Sequence, residues 1–294
     1  MNNDRTPQGD ATSVKSASRV LDVLESLGCQ PNGLSFTSLG ASLGIPKSSL
    51  HALLGILTRR GYLQLNEATG IYTLGIRVWE NGQAYLQHHN LIHEARPVMD
   101  RIVAEINEVA QLAVLDGIEN IYLAKVDCSH PIRLQSDVGK RLFAYATGLG
   151  KVLLAHLPPS ELDARINGCT FDRFTPNTVT SKPMLSRELA KVRASSFAVD
   201  NEEYTPGLRC VAVPIFDHQR QVIAAMSVSI PMIRGGVEQL AAALVLLARG
   251  SLEISRHLGC ADDDARLKEI VGHPANAPPL IKACVGMSPK SRSR

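Results

Sequence analysis

Leu34-Ser35-Phe36-Thr37-Ser38-Leu39-Gly40-Ala41-Ser42-Leu43-Gly44-Ile45-Pro46-Lys47-Ser48-Ser49-Leu50-His51-Ala52-Leu53-Leu54-Gly55-Ile56-Leu57-Thr58-Arg59-Arg60-Gly61-Tyr62 is the stretch whose reading decides the fold. It spells two short amphipathic helices. The first runs from Ser35 to Leu43, Gly44-Ile45 makes the turn, and Pro46 to Leu57 forms the second. Leu50, Leu53, Leu54 and Leu57 recur at i, i+3, i+4 and i+7, which predicts one buried stripe. Lys47, Ser48, His51, Ala52 and Gly55 are left on the outer face. Pro46 suits a first helical turn, where its missing N–H costs nothing. The polar residues crowd the N-terminus of the second helix, the end that a recognition helix pushes into the major groove. No Asp or Glu occurs from Ser26 to Asn66, while Lys47, Arg59 and Arg60 supply positive charge, so a polyanion meets no repulsion there. The pattern predicts a helix-turn-helix. The alternative is a small acid-poor helical domain, because glycine-turn helix pairs also occur in proteins that never touch DNA.

Working outward, Gly61-Tyr62-Leu63-Gln64-Leu65 starts a strand, Asn66 to Gly70 reads as a turn, and Ile71-Tyr72-Thr73-Leu74 returns. A hairpin directly after a recognition helix is a wing. Upstream, Val20, Leu21, Val23, Leu24 and Leu27 give a preceding helix its apolar face. Residues 14–75 therefore read as a complete winged helix-turn-helix, behind a polar N-terminal tail (1–13) expected to be disordered.

Bulk composition bounds the rest. A chain of 294 residues has room for two domains. With 45% hydrophobic and 20% charged residues, it has the composition of an ordinary globular protein. The net charge of +3 is close to neutral for this length, so any basic surface is local. No apolar run approaches the roughly 20 residues of a membrane helix. Met1-Asn2-Asn3-Asp4-Arg5 opens a polar tail rather than a signal peptide. The 6 cysteines are scattered with no CxxC pair, which predicts reduced thiols and a cytoplasmic protein, with neither disulfides nor a zinc site.

Gly75 to Leu86 reads as a connecting helix within a linker (76–92), and Glu94 to about Asn107 as a second helix with Pro97 in its first turn. Strands then alternate with helices. Ala110–Leu115 and Asn120–Val126 flank Asp116-Gly117, a hairpin turn, and Pro131–Gln135 is a further strand candidate. Helices follow from Leu149 to Leu157, Glu161 to Ile166 and Ser186 to Phe197. Leu208–Phe216 and Gln221–Ile230 make two long strands, and Val237–His257 a closing helix. This predicts an α/β sensor-type domain over 93–260. The Pro, Ser, Lys and Arg content of 261–294 predicts a flexible tail.

Few constellations carry chemistry. Thr147-Gly148-Leu149-Gly150-Lys151 fails as a phosphate loop, since Tyr145 and Val152 hold the positions that need Gly and Ser or Thr. It remains a glycine-flanked helix N-terminus, where open amides favour an anion, or a tight turn with no ligand. On the strand at 222–230, Val222, Ala224, Met226, Val228 and Ile230 share an apolar face. The opposite face, Ile223, Ala225, Ser227 and Ser229, would line a cavity, with Cys210 and Ala212 across from it if the hairpin is in register. Asp200-Asn201-Glu202-Glu203 reads as a solvated acidic loop. Cys210 has no histidine with motif support beside it, so burial is its expected fate rather than nucleophilic catalysis. His88, His89 and His93 lack a partner at metal-ligand spacing. No enzyme, metal site or cofactor is legible.

Seven blocks in order resemble the IclR family of transcriptional regulators over about residues 14 to 257. They are Gly44 to His51; Arg60 to Leu63; Tyr72 to Gly75; Glu94 to Met99; Ala113 to Gly117; Ala146 to Lys151; and Val199 to Pro214, the most specific. The resemblance implies an α/β (α+β) protein: an N-terminal winged helix-turn-helix, a linker helix that dimerises, and a C-terminal α/β effector-binding domain of GAF/PAS-like type. It implies dimers or tetramers on palindromic operators of catabolic operons, as repressor or activator, controlled by a small organic or aromatic acid. Carried over, DNA contacts fall on Lys47, Ser48, Ser49, His51, Arg59 and Arg60. Ligand contacts fall on Gly148, Leu149, Gly150, Asp200, Cys210, Ser227 and Ser229, with Tyr145 nearby. Three positions depart from the family pattern: Ala52 where Arg often follows the reading-helix histidine, Gly40 where Ala is common, and Phe143-Ala144-Tyr145 for Pro-Leu-His. The alternative function is a metabolite-binding module or small-molecule enzyme with a regulatory helical domain.

Overall fold

A computed structural model describes residues 15–88, 91–131 and 137–285, in two compact units, 1–89 and 90–294. The expected disorder of 1–13, most of the strand candidate at 131–135, and the last residues of the tail lie outside the described residues.

In the first unit, α1 (Lys15–Gly28) precedes β1 (Leu34–Ser35), α2 (Phe36–Leu43), α3 (Lys47–Arg59), β2 (Leu63–Asn66), β3 (Ile71–Leu74) and α4 (Ile76–His88). Ser35 ends β1 and caps α2, its hydroxyl accepting the Ser38 N–H at 3.1 Å. Gly44 closes α2 at φ 61°, a left-handed conformation that glycine adopts without a Cβ penalty. Pro46 is the N-cap of α3 rather than its first-turn residue. Leu50, Leu54 and Leu57 are buried with Val23, Leu27, Leu39, Ile45 and Leu63, while Leu53 is half-buried. The wing is antiparallel, Leu63 opposite Leu74, and β1 adds a third strand beside β3.

The second unit is built on six antiparallel strands in the order β6-β5-β4-β9-β8-β7. They are β4 (Val109–Asp116), β5 (Glu119–Val126), β6 (Arg141–Phe143), β7 (Ala198–Asn201), β8 (Leu208–Phe216) and β9 (Val222–Pro231). One face carries α5 (Leu91–Ile106) and α9 (Val237–His257) over a core that includes Leu112, Val213, Met226, Val228 and Ile230. The other carries α6 (Gly148–Ala155), α7 (Pro159–Ile166) and α8 (Lys182–Ser195) over Ala113, Tyr122, Ala212 and Ala225. The alternation read along 222–230 is the alternation of these two layers.

Three expectations change. Helix α5 begins at Leu91, so Pro97 lies inside it and removes one backbone hydrogen bond there. Asp200 and Asn201 belong to the edge strand β7, not to a solvated loop. The tail is folded over 265–285: α10 (Ala265–Gly272) and α11 (Ala277–Val285) bury Leu267, Ile270, Ala277 and Ile281 in the α9-side core. Asp264 caps α10 by accepting the Leu267 N–H at 2.9 Å.

Candidate functional site

On α3, Lys47, Ser48 and His51 are exposed and Ser49 is half-buried, all within the first turn and a half. No side chain caps this end, so its first amides are open alongside the Lys47 ammonium. The His51 ring meets Phe36 edge-on, with centroids 6.3 Å apart. Arg59 and Arg60, both exposed, sit at the far end, about 18 Å along the axis at 1.5 Å per residue. The structure therefore separates the six predicted residues into a patch at the helix N-terminus and a basic pair at the root of the wing.

In the second unit a cavity of about 380 Å³ opens between the sheet and the start of α6. Register builds its floor: Asp200 pairs with Cys210 and Cys210 with Ser229, while Ala212 pairs with Ser227 and Ser227 with Gln111. The hydroxyls of Ser227 and Ser229 both donate to Gln111 Oε1, at 3.3 and 2.9 Å. Cys210 Sγ lies 3.0 Å from Ser229 Oγ. Since the Ser229 proton is committed to Gln111, the thiol is the donor. Burial pushes the Cys210 thiol far above its ordinary range, with Asp200 adding to the effect. It is a neutral hydrogen-bonding group, and no histidine lines the cavity among the described residues.

The roof is the first turn of α6. Thr147 caps it, its hydroxyl accepting the Gly150 N–H at 3.0 Å and donating to Asn120 Oδ1 at 2.7 Å. Gly148 and Leu149 line the cavity, and at the first helical positions their amides have no intrahelical acceptor.

Two predicted ligand residues are not in it. Gly150 spends its N–H on Thr147, and a Cβ there would stand 2.2 Å from Ala144 Cα, so this glycine lets the helix pack on a neighbouring backbone. Tyr145 faces the helical layer, donating to the Asp172 carbonyl at 3.1 Å and packing on Phe171 and Phe174. The other six, Gly148, Leu149, Asp200, Cys210, Ser227 and Ser229, share the cavity. With them come Gln111, Tyr122, Lys140 and the segment Tyr204 to Leu208, which sequence reasoning missed. Gln111 left a signal, as a lone polar residue inside the apolar run from Val109 to Leu115.

Behind the cavity lies a buried charge cluster. Lys151 is 1% exposed; its ammonium donates to the Val199 carbonyl at 2.7 Å and pairs with Glu203. Asp200 accepts the Glu203 N–H at 2.7 Å. Burial, then the Glu203 charge, pushes the Asp200 carboxyl up to about 7, with Lys151 pulling the other way. Burial opposes the Lys151 ammonium too, but the two carboxylates more than offset it and its pKa rises. The remaining titratable candidates gather no site: His93 meets Glu94 on the surface, the side chains of His88 and His89 lie outside the described set, and no metal-holding group occurs among the described residues. Among the described residues no helix is long and apolar enough to cross a membrane.

Comparison with known proteins matches both units. The family description "IclR helix-turn-helix domain" fits residues 16–67, and "Bacterial transcriptional regulator IclR C-terminal" fits residues 83–256. The chain is 34% identical to the HTH-type transcriptional regulator XynR of Escherichia coli over 84% of its own length and 98% of that protein. It is 32% identical to BhcR of Paracoccus denitrificans, over 84% of this chain and 88% of that one. Among solved structures, the Thermotoga maritima IclR protein superposes with a TM-score of 0.70 at 29% identity, covering 84% of this chain and 100% of that one. An IclR homologue from Microbacterium hydrocarbonoxydans, complexed with 4-hydroxybenzoate, gives 0.74 at 26% identity, covering 83% and 98%. A winged reading helix in one unit, a polar-floored cavity in the other, and family matches spanning both make this chain a member of the IclR family of DNA-binding transcriptional regulators with a C-terminal effector-binding domain.

Proposed function

We propose that the chain works in the cytoplasm as a homo-oligomer, dimer or tetramer, that controls a catabolic operon and turns over no substrate. Two copies of α3 read the halves of a palindromic operator. Ser48, Ser49 and His51 lie nearest the base edges, and Lys47, Arg59 and Arg60 hold phosphates. The exposed side chains of Leu21, Ile76 and Trp79, on α1 and α4, support association of copies through the first unit.

The effector is a small carboxylate, organic or aromatic. The observation that carries this reading is the cavity itself, lined by Gly148 and Leu149 at the start of α6 and by Gln111, Ser227 and Ser229 of the sheet. Amides at a helix start stabilise a carboxylate, and the hydroxyl floor serves the rest of a polar ligand. The bound 4-hydroxybenzoate of the Microbacterium relative is an acid of this class. The ligand shifts the winged units only to the extent that it prefers one arrangement over another.

The test is a fluorescence-anisotropy titration onto DNA from upstream of the protein's own gene, at two salt concentrations, with and without a panel of small acids. Specific, salt-sensitive binding that one acid strengthens or releases is expected, and Ser229→Leu should abolish the response while leaving operator binding intact. Equal weak binding to every duplex, indifferent to every acid, would overturn the reading.

A further inference from the structure

We propose that a carboxylate ligand enters this cavity together with a proton, which Asp200 takes up, so that effector affinity follows pH. The inference rests on the cavity being the effector site.

The geometry forces the two negative groups together. Gly148, Leu149 and Asp200 line the same cavity, and a Cβ placed on Gly148 would stand 3.7 Å from the Asp200 Cβ, so a carboxylate held at this helix start shares a small space with the Asp200 side chain. Among the described residues no spare buried cation lines the cavity. Lys151 is committed to Glu203 and the Val199 carbonyl, and it already faces two carboxylates. Lys140 lines the cavity, but its side chain stands in water. A third carboxylate would leave like charges in contact away from solvent, where their repulsion is weakly screened.

Three neighbours of Asp200, namely Tyr122, Cys210 and Lys151, hold their charge state in the neutral range. On β5, burial pushes the Tyr122 phenol up, with Cys210 and Asp200 adding to it. On β8, Cys210 is held neutral in the same way. On α6, Lys151 is held charged. Glu203 is fixed in its ion pair, and Tyr204 follows on the same segment. Farther out, Glu188 on α8 acts on Lys151. Asp200, already poised near 7, is the group able to accept a proton from solvent as the ligand arrives. The one bond formed is the carboxyl O–H, its proton released by solvent or buffer, and the protonated carboxyl then donates to a ligand oxygen in place of the repulsion.

The sign follows from linkage. Affinity is greatest below the free-protein pKa of Asp200 and weakens about tenfold per pH unit above it. Isothermal titration calorimetry of the full chain with 4-hydroxybenzoate, glycolate and gluconate, in phosphate and in Tris, reads both slope and proton uptake. For a binding acid, Kd should change little from about pH 5.5 to 6.5 and rise close to tenfold from about pH 7.5 to 8.5. The heat should differ between the buffers by nearly one proton's ionisation enthalpy at the upper pH. Asp200→Asn should flatten the pH profile. A flat profile with buffer-independent heat in the unaltered chain, while Ser229→Leu still abolishes binding, would overturn the proton linkage and leave the effector site standing. If no acid binds at any pH, or Ser229→Leu binds as well as the parent, the site reading falls and the linkage falls with it.

Discussion

On α3, the Lys47 ammonium stands in solvent with no ion pair among the described residues; on α6, the Lys151 ammonium is sealed between a backbone carbonyl and a carboxylate. Both lysines lie in the first helical turns of their elements, and the proposed function sets each element beside an anion, DNA in one unit and a small acid in the other. The difference lies in solvent. An exposed cation contributes little to the fold and is tuned by salt, because counterions compete for what it binds. A buried cation is part of the fold and is tuned by protons, because its partners change charge before ions can reach them. The same side chain is thus expected to answer to salt on the surface of one unit and to pH in the interior of the other.

The largest effect should come from breaking the buried side of this comparison. Lys151→Met leaves Glu203 and Asp200 without a counter-charge in a site less than a tenth exposed. Removing one partner of a buried pair costs about 3–5 kcal/mol. The deficit should be greatest at high pH and shrink as pH falls and the carboxylates take up protons. Urea midpoints at about pH 8 and pH 5 measure it, and an equal loss at both would place the cost in packing rather than charge.

A smaller effect of opposite sign is expected next to it. Asp200 titrates near 7 in the folded protein against an ordinary 3.8, so the native state holds a proton that the unfolded chain has lost between those values. Stability therefore falls as pH rises through that window, and Asp200 is a net cost above it. Asp200→Asn should raise stability above pH 7, on the order of 1–3 kcal/mol, with the gain vanishing toward pH 4. A gain independent of pH would show that the carboxylate was not the source.

These two residues also show where the sequence was readable. The reading helix was legible because its evidence is local: leucines at helical spacing, the turn glycine Gly44 and an acid-free run all lie between Ser26 and Asn66. The Cys210–Ser229 register was legible because a two-residue alternation fixes which face each side chain takes. The acidic run at 200–203 was not, because what makes it an interior group is Lys151, far off in sequence. Read locally, two Glu and an Asp in four residues belong in water. That Tyr145, on the short 3-10 turn Ala144–Ala146, faces the helical layer and that Gly150 gives its N–H to Thr147 are features of the folded backbone with no local sequence signal. The tail carried its own helix signal, Leu267 with Ile270 and Ala277 with Ile281, but composition at its far end outweighed it.

Back in the first unit, the changes should be small. A Cβ on Gly40 would stand 3.4 Å from Leu50 Cδ2, at the edge of ordinary contact. Gly40→Ala should therefore gain helix preference without displacing the core, raising the thermal midpoint by the equivalent of at most ~1 kcal/mol. A loss instead would mean that Leu50 cannot give way.

Lys47→Ala is the counterpart of Lys151→Met, with the same ammonium removed from the exposed side. Stability should stay within about 0.5 kcal/mol of the parent, as for an unpaired surface residue. Any change should favour the variant, because a cation at a helix N-terminus opposes the dipole. What should move is DNA binding. One phosphate contact fewer per subunit weakens affinity for every sequence about equally and flattens the plot of log K against log salt by ~0.9 per subunit. An unchanged salt slope would remove Lys47 from the phosphate contacts. A loss confined to the operator, with non-specific binding intact, would move it from phosphates to base edges and make the exposed patch a sequence reader throughout.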